Sequence, residues 1–401
     1  MTVKLYDLKP YDRTFKATVQ TCTNAGRSDA VLFAVTLDQT LFFPEEGGQS
    51  CDTGLLTPQL SNANKPTISV IDVQLKGDEI VHYCDRPIEP GSAVTGKIDW
   101  AHRFDNMQQH TGEHIISGLV NKHFGFNNVG FHLSNETVTM DYDHELTPEQ
   151  IDRLELLANE AIWNNCPVTA WYPSPDELAS LHYRSKIDLD AGVRLVRIDG
   201  VDLCACCAPH VSTTAQVGLL KITDYRRYKG GMRLWIKCGG RALADYRMLH
   251  DQAGALSEEF SSPRDALLEP VQKIKQDLDS AKAELAKAHA SLLQNTVKSI
   301  PDDQPHVILL EPETDDTKAL RDVLNELAEK RSGYCAAFYG RQDQTWRYLC
   351  AGTGSDCRIW NEELKKAFPV RGGGREGMVQ GSVEADEAAL SAWFATLYTS
   401  R

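Results

Sequence analysis

The segment IDWAHRFDNMQQHTGEH, from Ile98 to His114, organises the interpretation of the whole chain. Apolar residues recur at helical spacing from Asp105 to Lys122, so we predict a helix over that range. His110 and His114 stand four residues apart within it, and side chains at that spacing project from the same face of a helix. Both imidazoles can therefore reach one metal ion.

A second pair with the same spacing lies in CCAPH, the segment from Cys206 to His210. Pro209 favours an extended backbone at this point, which indicates a ligand on a loop. Three imidazoles and one thiolate satisfy the tetrahedral preference of zinc for nitrogen and sulfur. We therefore predict a site for one zinc ion, with these ligands: His110, His114, Cys206 and His210. Cys207, and after it Cys204, are the alternative sulfur ligands.

Glu113 gives the sequence HTGEH a superficial similarity to the HExxH helix of metalloproteases. In that motif the glutamate follows the first histidine, whereas Glu113 precedes the second. We therefore disfavour a metalloprotease. Glu113 is interpreted as a residue on the helix surface or behind the metal ligands.

The composition is that of a globular protein, with 42% hydrophobic and 24% charged residues. The N-terminus carries no signal-peptide pattern, and no apolar stretch reaches the roughly 20 residues needed to span a membrane. Eleven cysteines, an odd and mostly scattered set, argue against a disulfide framework. These features predict a cytoplasmic protein without a membrane partner.

Charge is distributed unevenly, although the net charge of −14 speaks against indiscriminate binding to nucleic acid. A basic run from Lys221 to Arg241 is opposed locally only by Asp224. The run is either a surface that faces phosphates or an ordinary solvated pair of strands. Its aromatic residues suit either stacking on unpaired bases or packing in a core: Tyr225, Tyr228 and Trp235.

Four segments are predicted along the chain. Residues 1–95 alternate in short β-like runs and form a barrel or sandwich, interrupted by a loop from Phe42 to Gly54. Residues 96–250 mix helices and strands, including a helix capped by Thr147. Residues 251–299 carry a heptad seam that is reliable from Val271 onward and fits either a helical hairpin or a dimeric coiled coil. Residues 300–401 alternate strands and helices and form a small α/β domain, in which RGGGREGMVQG, from Arg371 to Gly381, is predicted to be a loop.

Several of these stretches carry a family resemblance. LDQTLFFPEEGGQSCDTG (Leu37–Gly54), IDWAHRFDNMQQHTGEH and CCAPH resemble the editing domain of alanyl-tRNA synthetase and the free-standing AlaX family. MRLWIKCGGRALADY (Met232–Tyr246) is similar to the closing strand and turn of that domain. RGGGREGMVQG is similar to the glycine-rich signature of the DHH-associated C-terminal domain. The resemblance implies an α+β fold: an N-terminal β-barrel, a zinc-binding editing domain with an antiparallel sheet, a helical coiled-coil segment and a C-terminal α/β domain.

The resemblance also implies a function, namely zinc-dependent hydrolysis of the ester on mischarged alanine tRNA, with serine or glycine as the attached amino acid. No region resembles the ATP-binding catalytic domain of the synthetase, so amino-acid activation is not expected. Residues implied to act at the site are Thr40, Gln49, Asp52 and Arg103. Thr40 is expected to hydrogen-bond a seryl hydroxyl, which an alanyl substrate lacks.

The chain departs from the family pattern at two places. Ala208 and Pro209 stand where the family usually has glycine and threonine, and His102 replaces the first of two arginines. A zinc-stabilised tRNA-binding protein without hydrolase activity is therefore an alternative. Another is a deacylase for a different tRNA, because the threonyl-tRNA synthetase editing domain shares the ligand pattern. A homodimer, through the coiled coil or the C-terminal domain, is compatible with the sequence.

Overall fold

The computed structural model describes residues 2–26, 32–59, 67–185 and 192–399. The chain divides into two compact units, Met1–Gly254 and Ala255–Arg401. Both units mix helices with sheets, so the predicted α+β class is confirmed. The finer division into four segments stays a prediction.

The N-terminal part of the first unit is a closed six-stranded barrel, in which the strands follow the order β2-β3-β7-β6-β5-β8. Its strands are β2 (Thr14–Asn24), β3 (Phe33–Leu37), β5 (Gly54–Pro58), β6 (Ile68–Lys76), β7 (Glu79–Cys84) and β8 (Ala93–Ile98). Alternating apolar side chains fill its interior, as expected for a small barrel. One of the β-like runs of the sequence extends from Ala30 to Leu37; the strand is confirmed from Phe33 onward, and residues 30 and 31 lie outside the described part of the chain.

Three short elements and one long loop accompany the barrel. The short elements are β1 (Val3–Lys4), α1 (Leu5–Leu8) and β4 (Gln39–Thr40). β1 pairs in parallel with β4. The loop from Phe42 to Gly54 is confirmed as a connection between β4 and β5.

A long helix, α2 (Trp100–Phe124), follows the barrel and extends the predicted helix at both ends. The Asp99 carboxylate caps its first turn by accepting from the backbone N–H groups of Ala101 and His102. Its middle is buried on nearly every side, with polar and apolar residues alike below the surface. A helix buried all round serves here to carry site residues through the interior.

An antiparallel four-stranded sheet packs with α2 and α3 (Pro148–Trp163) around one hydrophobic core. The sheet contains β9 (Asn128–Leu133), β10 (Val138–Tyr142), β14 (Leu220–Tyr228) and β15 (Gly231–Cys238), in the order β14-β15-β10-β9. The capping box predicted for α3 is confirmed. The Gln150 N–H donates to the Thr147 hydroxyl, and the Thr147 N–H donates to Gln150 Oε1.

A smaller antiparallel sheet leads the chain into the second ligand pair. It contains β11 (Val168–Trp171), β12 (Leu195–Ile198) and β13 (Asp202–Ala205), and α4 (Pro175–Ser180) follows β11. The chain after β15 forms α5 (Gly239–Glu259), so the turn expected within Met232–Tyr246 is instead the beginning of a helix.

In the second unit, α6 (Leu268–Lys298) carries the heptad seam. A five-stranded sheet follows, in the order β16-β17-β18-β20-β19. Its elements are β16 (Val307–Glu311), α7 (Thr317–Lys330), β17 (Cys335–Gln342), β18 (Thr345–Ala351), α8 (Cys357–Ala367), β19 (Val370–Arg375), β20 (Met378–Glu384) and α9 (Glu387–Thr399). α7 packs on one face, and α8 and α9 pack on the other. Such two-sided burial explains the near-continuous apolar runs of β17 and β18.

The glycine-rich segment from Arg371 to Gly381 is not a loop, and that prediction was wrong. It forms most of an antiparallel hairpin made by β19 and β20. A Cβ added at Gly372 or Gly381 would lie within 2.7 Å of the Tyr348 hydroxyl, which hydrogen-bonds Asn361. The glycines therefore make room for a buried tyrosine from another strand.

Within the described ranges, no helix combines the length and the apolar character needed to cross a membrane.

Candidate metal centre and adjoining cavity

The four residues predicted as metal ligands meet in the first unit. One nitrogen from each histidine and the Cys206 sulfur all lie within 4.8 Å of one another. Cys206 Sγ is 3.3 Å from His210 Nε2 and 3.6 Å from His110 Nε2. The geometry thus brings together the two pairs that the sequence separates by almost a hundred positions.

Each imidazole is oriented from behind by a separate partner. His110 Nδ1 donates to Gln49 Oε1 over 2.8 Å, and His114 Nδ1 donates to Asp202 Oδ2 over 2.9 Å. His210 Nδ1 lies 3.1 Å from the Thr111 hydroxyl. Because the Nδ1 atoms are occupied, the Nε2 atoms face the centre of the cluster. This arrangement is typical of metal-binding histidines, so the donor set fits zinc.

The Asp202 carboxylate is itself held in place. Arg184 donates to both of its oxygens, over 2.7 Å and 2.8 Å. Burial opposes ionisation of Asp202, but the hydrogen bonds from His114 and Arg184 outweigh it and lower the pKa of the carboxyl group. A charged Asp202 is therefore available to fix the orientation of His114. Neither Asp202 nor Thr111 was predicted, because their sequence positions carry no sign that they contact a ligand.

Cys206 is the sulfur that the geometry selects. Although burial acts in the opposite direction, the neighbouring His110 and His210 hold the pKa of the Cys206 thiol well below its ordinary value. A thiolate is the form that binds metal. The Arg194 guanidinium fixes the loop by donating to the carbonyl oxygens of Cys206 and Ala208, both over 2.9 Å.

The alternative cysteines take different positions. Burial raises the pKa of the Cys207 thiol, and Cys207 is outside the group of four close ligand atoms. Cys204 lies near His114 and Asp202 in a second group of close ligand atoms. Asp202 is already engaged by His114 and Arg184, which leaves the first group as the better candidate for a metal.

A cavity of about 470 Å³ opens beside the cluster. His110, His114 and Cys206 form part of its wall, and Phe131 supplies an aromatic surface. The other described lining residues are Lys4, Glu46, Gly47, Gly48, Tyr172, Ser185, Gly192, Val193, Arg194, Cys204, Ala205 and Cys207. Its volume lies in the range of small-molecule sites.

The loop from Phe42 to Gly54 joins the barrel to this cavity. The Leu133 N–H donates to the Gly48 carbonyl over 2.7 Å, which adds the loop to the edge of β9. Gly48 has a φ of +81°, and a Cβ there would lie 2.5 Å from the Phe131 carbonyl oxygen. Only glycine therefore permits this approach without strain. The contact places Gln49 against His110.

Asp52 and Arg103, both predicted as site residues, form a fully buried ion pair. Arg103 also donates to the Leu41 carbonyl over 2.6 Å, and Asp52 accepts from the Phe43 N–H over 2.7 Å. The pair joins α2 to both ends of the loop. Neither residue is among those that line the cavity in the described part of the chain.

Thr40 lies inside the barrel. Its hydroxyl donates to His82 Nε2 over 2.9 Å and accepts from the Phe42 N–H over 3.1 Å. Burial lowers the pKa of His82 to about 4, so the imidazole is neutral and can accept. Thr40, like Asp52, is not among the described lining residues of the cavity. Its predicted contact with a seryl hydroxyl stays a prediction.

Glu113 lies in the interior and not on the helix surface. It accepts from the Ser117 hydroxyl over 2.8 Å and from Asn128 Nδ2 over 2.7 Å. Its other oxygen is 3.8 Å from His114 Nε2. Of the two interpretations offered for Glu113, the one that places it beside the metal ligands agrees with the structure.

Six basic residues of the run form ion pairs, five of them with acidic residues outside the run. The ion pairs are Lys221–Glu155, Arg226–Asp224, Arg227–Glu145, Arg233–Asp141, Lys237–Asp245 and Arg241–Asp105. The guanidinium groups of Arg226 and Arg233 also cover the rings of Trp235 and Tyr228, at 4.4 Å and 3.9 Å. Of the three aromatic residues, Tyr225 is the exposed one. These ion pairs and ring contacts favour the interpretation that the run is an ordinary pair of strands over the alternative that it faces phosphates.

The barrel, the buried cluster and the cavity together define a protein with a candidate site for one metal ion beside a pocket of small-molecule size. Comparison with known proteins gives a more specific result. Residues 193–234 match the model of the threonyl and alanyl tRNA synthetase second additional domain. Residues 9–102 match the model of class II (A) tRNA synthetases.

Individual relatives extend over more of the chain. The alanyl-tRNA editing protein Aarsd1 of Mus musculus is 28% identical over 391 residues, which cover 92% of each chain. The alanyl-tRNA editing protein AlaX-L of Pyrococcus horikoshii is 31% identical over 64% of this chain and 63% of its own. The alanine–tRNA ligase of Ignicoccus hospitalis is 30% identical over 74% of this chain, which spans only 33% of the ligase. The resemblance predicted from the sequence is confirmed, since the chain is similar to alanyl-tRNA editing proteins along most of its length.

Proposed function

We propose that this protein is a trans-acting aminoacyl-tRNA deacylase, which hydrolyses the ester that links serine, and also glycine, to alanine tRNA. The observation that carries the proposal is the cavity walled by His110, His114 and Cys206, in a chain that matches alanyl-tRNA editing proteins along most of its length. Removal of a wrong amino acid serves the fidelity of translation, and a cytoplasmic location accompanies this proposal.

The proposal includes one zinc ion, held by His110, His114, Cys206 and His210. When bound, zinc polarises a carbonyl group or lowers the pKa of a water molecule. The remaining work falls to residues of the chain itself. Asp202, Thr111 and Gln49 keep the three imidazoles in one orientation.

Gln49 contributes more than an orienting contact. Its Oε1 accepts from His110, whereas its buried Nε2 has no hydrogen-bond partner among the described residues. A buried amide donor without an acceptor is costly, so an oxygen of the substrate is its natural partner. Although Gln49 is not among the described residues that line the cavity, we assign to its Nε2 the donation of this hydrogen bond to the reacting ester, where charge develops on oxygen.

Asp52, Arg103 and Thr40 act at a distance in this proposal. The ion pair of Asp52 with Arg103 holds the loop that carries Gln49 against α2. The Thr40 hydroxyl fixes the beginning of the same loop through the Phe42 N–H. These three residues therefore position the site and do not form its wall.

Deacylation assays test the proposal directly. Alanine tRNA is charged with serine, glycine or alanine and incubated with the protein before and after removal of zinc. We expect zinc-dependent loss of the seryl and glycyl esters, with the alanyl ester spared. Full stability of all three esters, with intact binding of zinc and tRNA, would instead establish the second candidate, a tRNA-binding protein without hydrolase activity. The observation that favours this candidate is Ala208-Pro209 in place of the usual glycine and threonine.

A further inference from the structure

Glu46 stands apart from the other residues around the cavity. Among the described lining residues it is the only carboxylate, and it precedes the two glycines that approach β9. The Cys206 sulfur and two of the ligand imidazoles face the same space. A negative charge thus lies on the wall of the pocket that contains the metal cluster.

The Glu46 carboxylate lacks a partner for one of its oxygens. Oε2 is buried and accepts no hydrogen bond within the described part of the chain. Burying a carboxylate oxygen without a donor is costly, so such an oxygen indicates a ligand that supplies the donor. Glu45, the preceding residue, is different, since it is exposed and its Oε2 accepts from Gln74 over 2.8 Å.

The same wall carries one lysine and one arginine, Lys4 and Arg194, and neither donates a hydrogen bond to Glu46 Oε2 within the described part of the chain. Arg194 directs one nitrogen to the carbonyl oxygens of Cys206 and Ala208, and its Nε lies 3.5 Å from Asp7. Its guanidinium therefore holds the ligand loop. The thiol of Cys207, which the Glu46 charge helps to keep protonated, is a weak donor.

An aminoacyl ester carries the group that the carboxylate lacks. Its α-ammonium is a compact cation with three donors, one carbon away from the carbonyl group that reacts. A ligand whose ester lies at the metal cluster would place this ammonium elsewhere in the same small cavity. Hydrogen bonds between an ammonium and a carboxylate are among the stronger ones in proteins.

We propose that the Glu46 carboxylate binds the α-ammonium group of the aminoacyl ester and thereby restricts the site to esters with a free amino group. This inference rests on the proposed function and adds a specificity-determining residue to it. Esters in which the α-nitrogen is acylated, as in a peptidyl-tRNA, are then rejected. Rejection follows because acylation removes the positive charge and leaves Oε2 buried without a partner.

A binding experiment tests the inference without requiring catalysis. The probes are two non-hydrolysable analogues, in which the 3′ nitrogen of 3′-amino-3′-deoxyadenosine carries either a seryl or a glyceroyl group. They differ only in an α-ammonium or an α-hydroxyl. We measure their Kd by titration calorimetry with the zinc-loaded full chain, with Glu46→Gln and with the matched control Glu45→Gln.

The wild-type chain and Glu45→Gln are expected to bind the seryl analogue more tightly by about 10- to 100-fold, and Glu46→Gln to lose most of that preference. Zinc content and thermal stability, measured on the same samples, should be alike in all three proteins. In deacylation assays the loss should appear chiefly in KM.

Two results would overturn the inference: a preference retained by Glu46→Gln, or no preference in the wild-type chain. Loss of zinc from Glu46→Gln would also overturn it, because Glu46 would then support the metal site. Failure of the proposed function gives a different pattern, in which the seryl analogue is preferred through Glu46 but no ester of alanine tRNA is hydrolysed.

Discussion

The three imidazoles of the cluster share one arrangement but differ in the strength of their support. His114 is backed by a carboxylate that Arg184 keeps charged, while His110 and His210 are backed by an amide oxygen and a hydroxyl. A carboxylate behind an imidazole raises the basicity of the ligand more than a neutral group does. His114 is therefore the ligand that we expect to bind the metal most strongly.

At the residue scale we predict that Cys206, and not Cys207, is the sulfur ligand. Cys206→Ser should lower the affinity for zinc by more than about 100-fold, since loss of a ligand exceeds the usual effect of losing a supporting contact. Cys207→Ser should leave zinc affinity nearly unchanged, because the Cys207 sulfur is outside the close group of ligand atoms. Competition with a chromogenic chelator measures both. Zinc loss from Cys207→Ser alone would transfer the ligand role to Cys207.

The cluster of four candidate ligands could be predicted from the sequence, because the four-residue spacing places both histidines of α2 on one face and the same spacing recurs in Cys206 and His210. Apart from Gln49, which the family resemblance implied, the partners of the imidazoles could not be predicted. Asp202, Thr111 and Arg184 are chosen by the packing of β13 and the ligand loop against α2, and a single sequence contains no record of that packing. The buried position of Glu113 could not be predicted for the same reason, because the donors that Glu113 meets in the interior, Ser117 and Asn128, become evident only in the folded chain.

At the scale of elements, the barrel and the metal cluster are connected by one loop. Its first residues are held by Thr40 and Arg103, and Gly48 and Ser50 hydrogen-bond Leu133 of β9. His82 in β7 supports this connection, because its neutral ring accepts from the Thr40 hydroxyl. Protonation of His82 would remove that acceptor within a buried core.

The titration of His82 therefore predicts a pH dependence of stability. The pKa of His82 is lowered from 6.5 to about 4, so between these two pH values the unfolded chain binds a proton that the folded chain does not. The stabilising contribution is therefore fully present above pH 6.5 and is lost as the pH falls from 6.5 towards 4. Between about pH 7.5 and about pH 5 the wild-type chain should lose about 2 kcal/mol of unfolding free energy from this residue. His82→Gln should lack that part of the loss.

Urea unfolding of the zinc-loaded proteins at the two pH values measures the difference. His123→Gln is the matched control, because His123 is exposed at the end of α2. The control should follow the wild-type chain, including any loss from protonation of the metal ligands. Equal pH dependence in His82→Gln and the wild-type chain would contradict a neutral, buried His82.

Most elements could be predicted from period and capping, and the capping box at Thr147 shows why, since both of its hydrogen bonds join residues three positions apart. The hairpin of β19 and β20 could not be predicted. Runs of glycine indicate a loop by composition, whereas here Gly372 and Gly381 leave room for the paired strand and for the Tyr348 hydroxyl of a neighbouring strand. Local rules fail where a distant side chain sets the requirement.

At the scale of the whole molecule, folding brings acidic residues next to basic residues that are distant from them in sequence. The basic run from Lys221 to Arg241 has one acidic residue nearby in sequence, yet acidic partners come from α2, α3, α5 and the strand β10. Net basicity of a segment therefore says little about a surface for tRNA.

The heptad seam of α6 bears on the oligomeric state. Ile274, Leu278 and Leu285 are each more than half exposed, whereas Leu293 near the end of the helix packs into the core of the second unit. A repeated apolar stripe at coiled-coil spacing is a surface that a second helix covers. We predict that it pairs two copies of the chain.

Light scattering after size-exclusion chromatography measures this directly, with the full-length chain expected to be a dimer. The double variant Leu278→Glu and Leu285→Glu should be a monomer, because each buried leucine contributes about 1.5–3 kcal/mol and each dimer would lose four. The control variant, Gln276→Glu and Ala283→Glu, adds the same charge to the opposite face of α6 and should stay dimeric. A monomeric wild-type chain, or dissociation of the control as well, would exclude the seam as the interface. Because the metal cluster lies wholly within the first unit, the monomeric variant should retain its zinc.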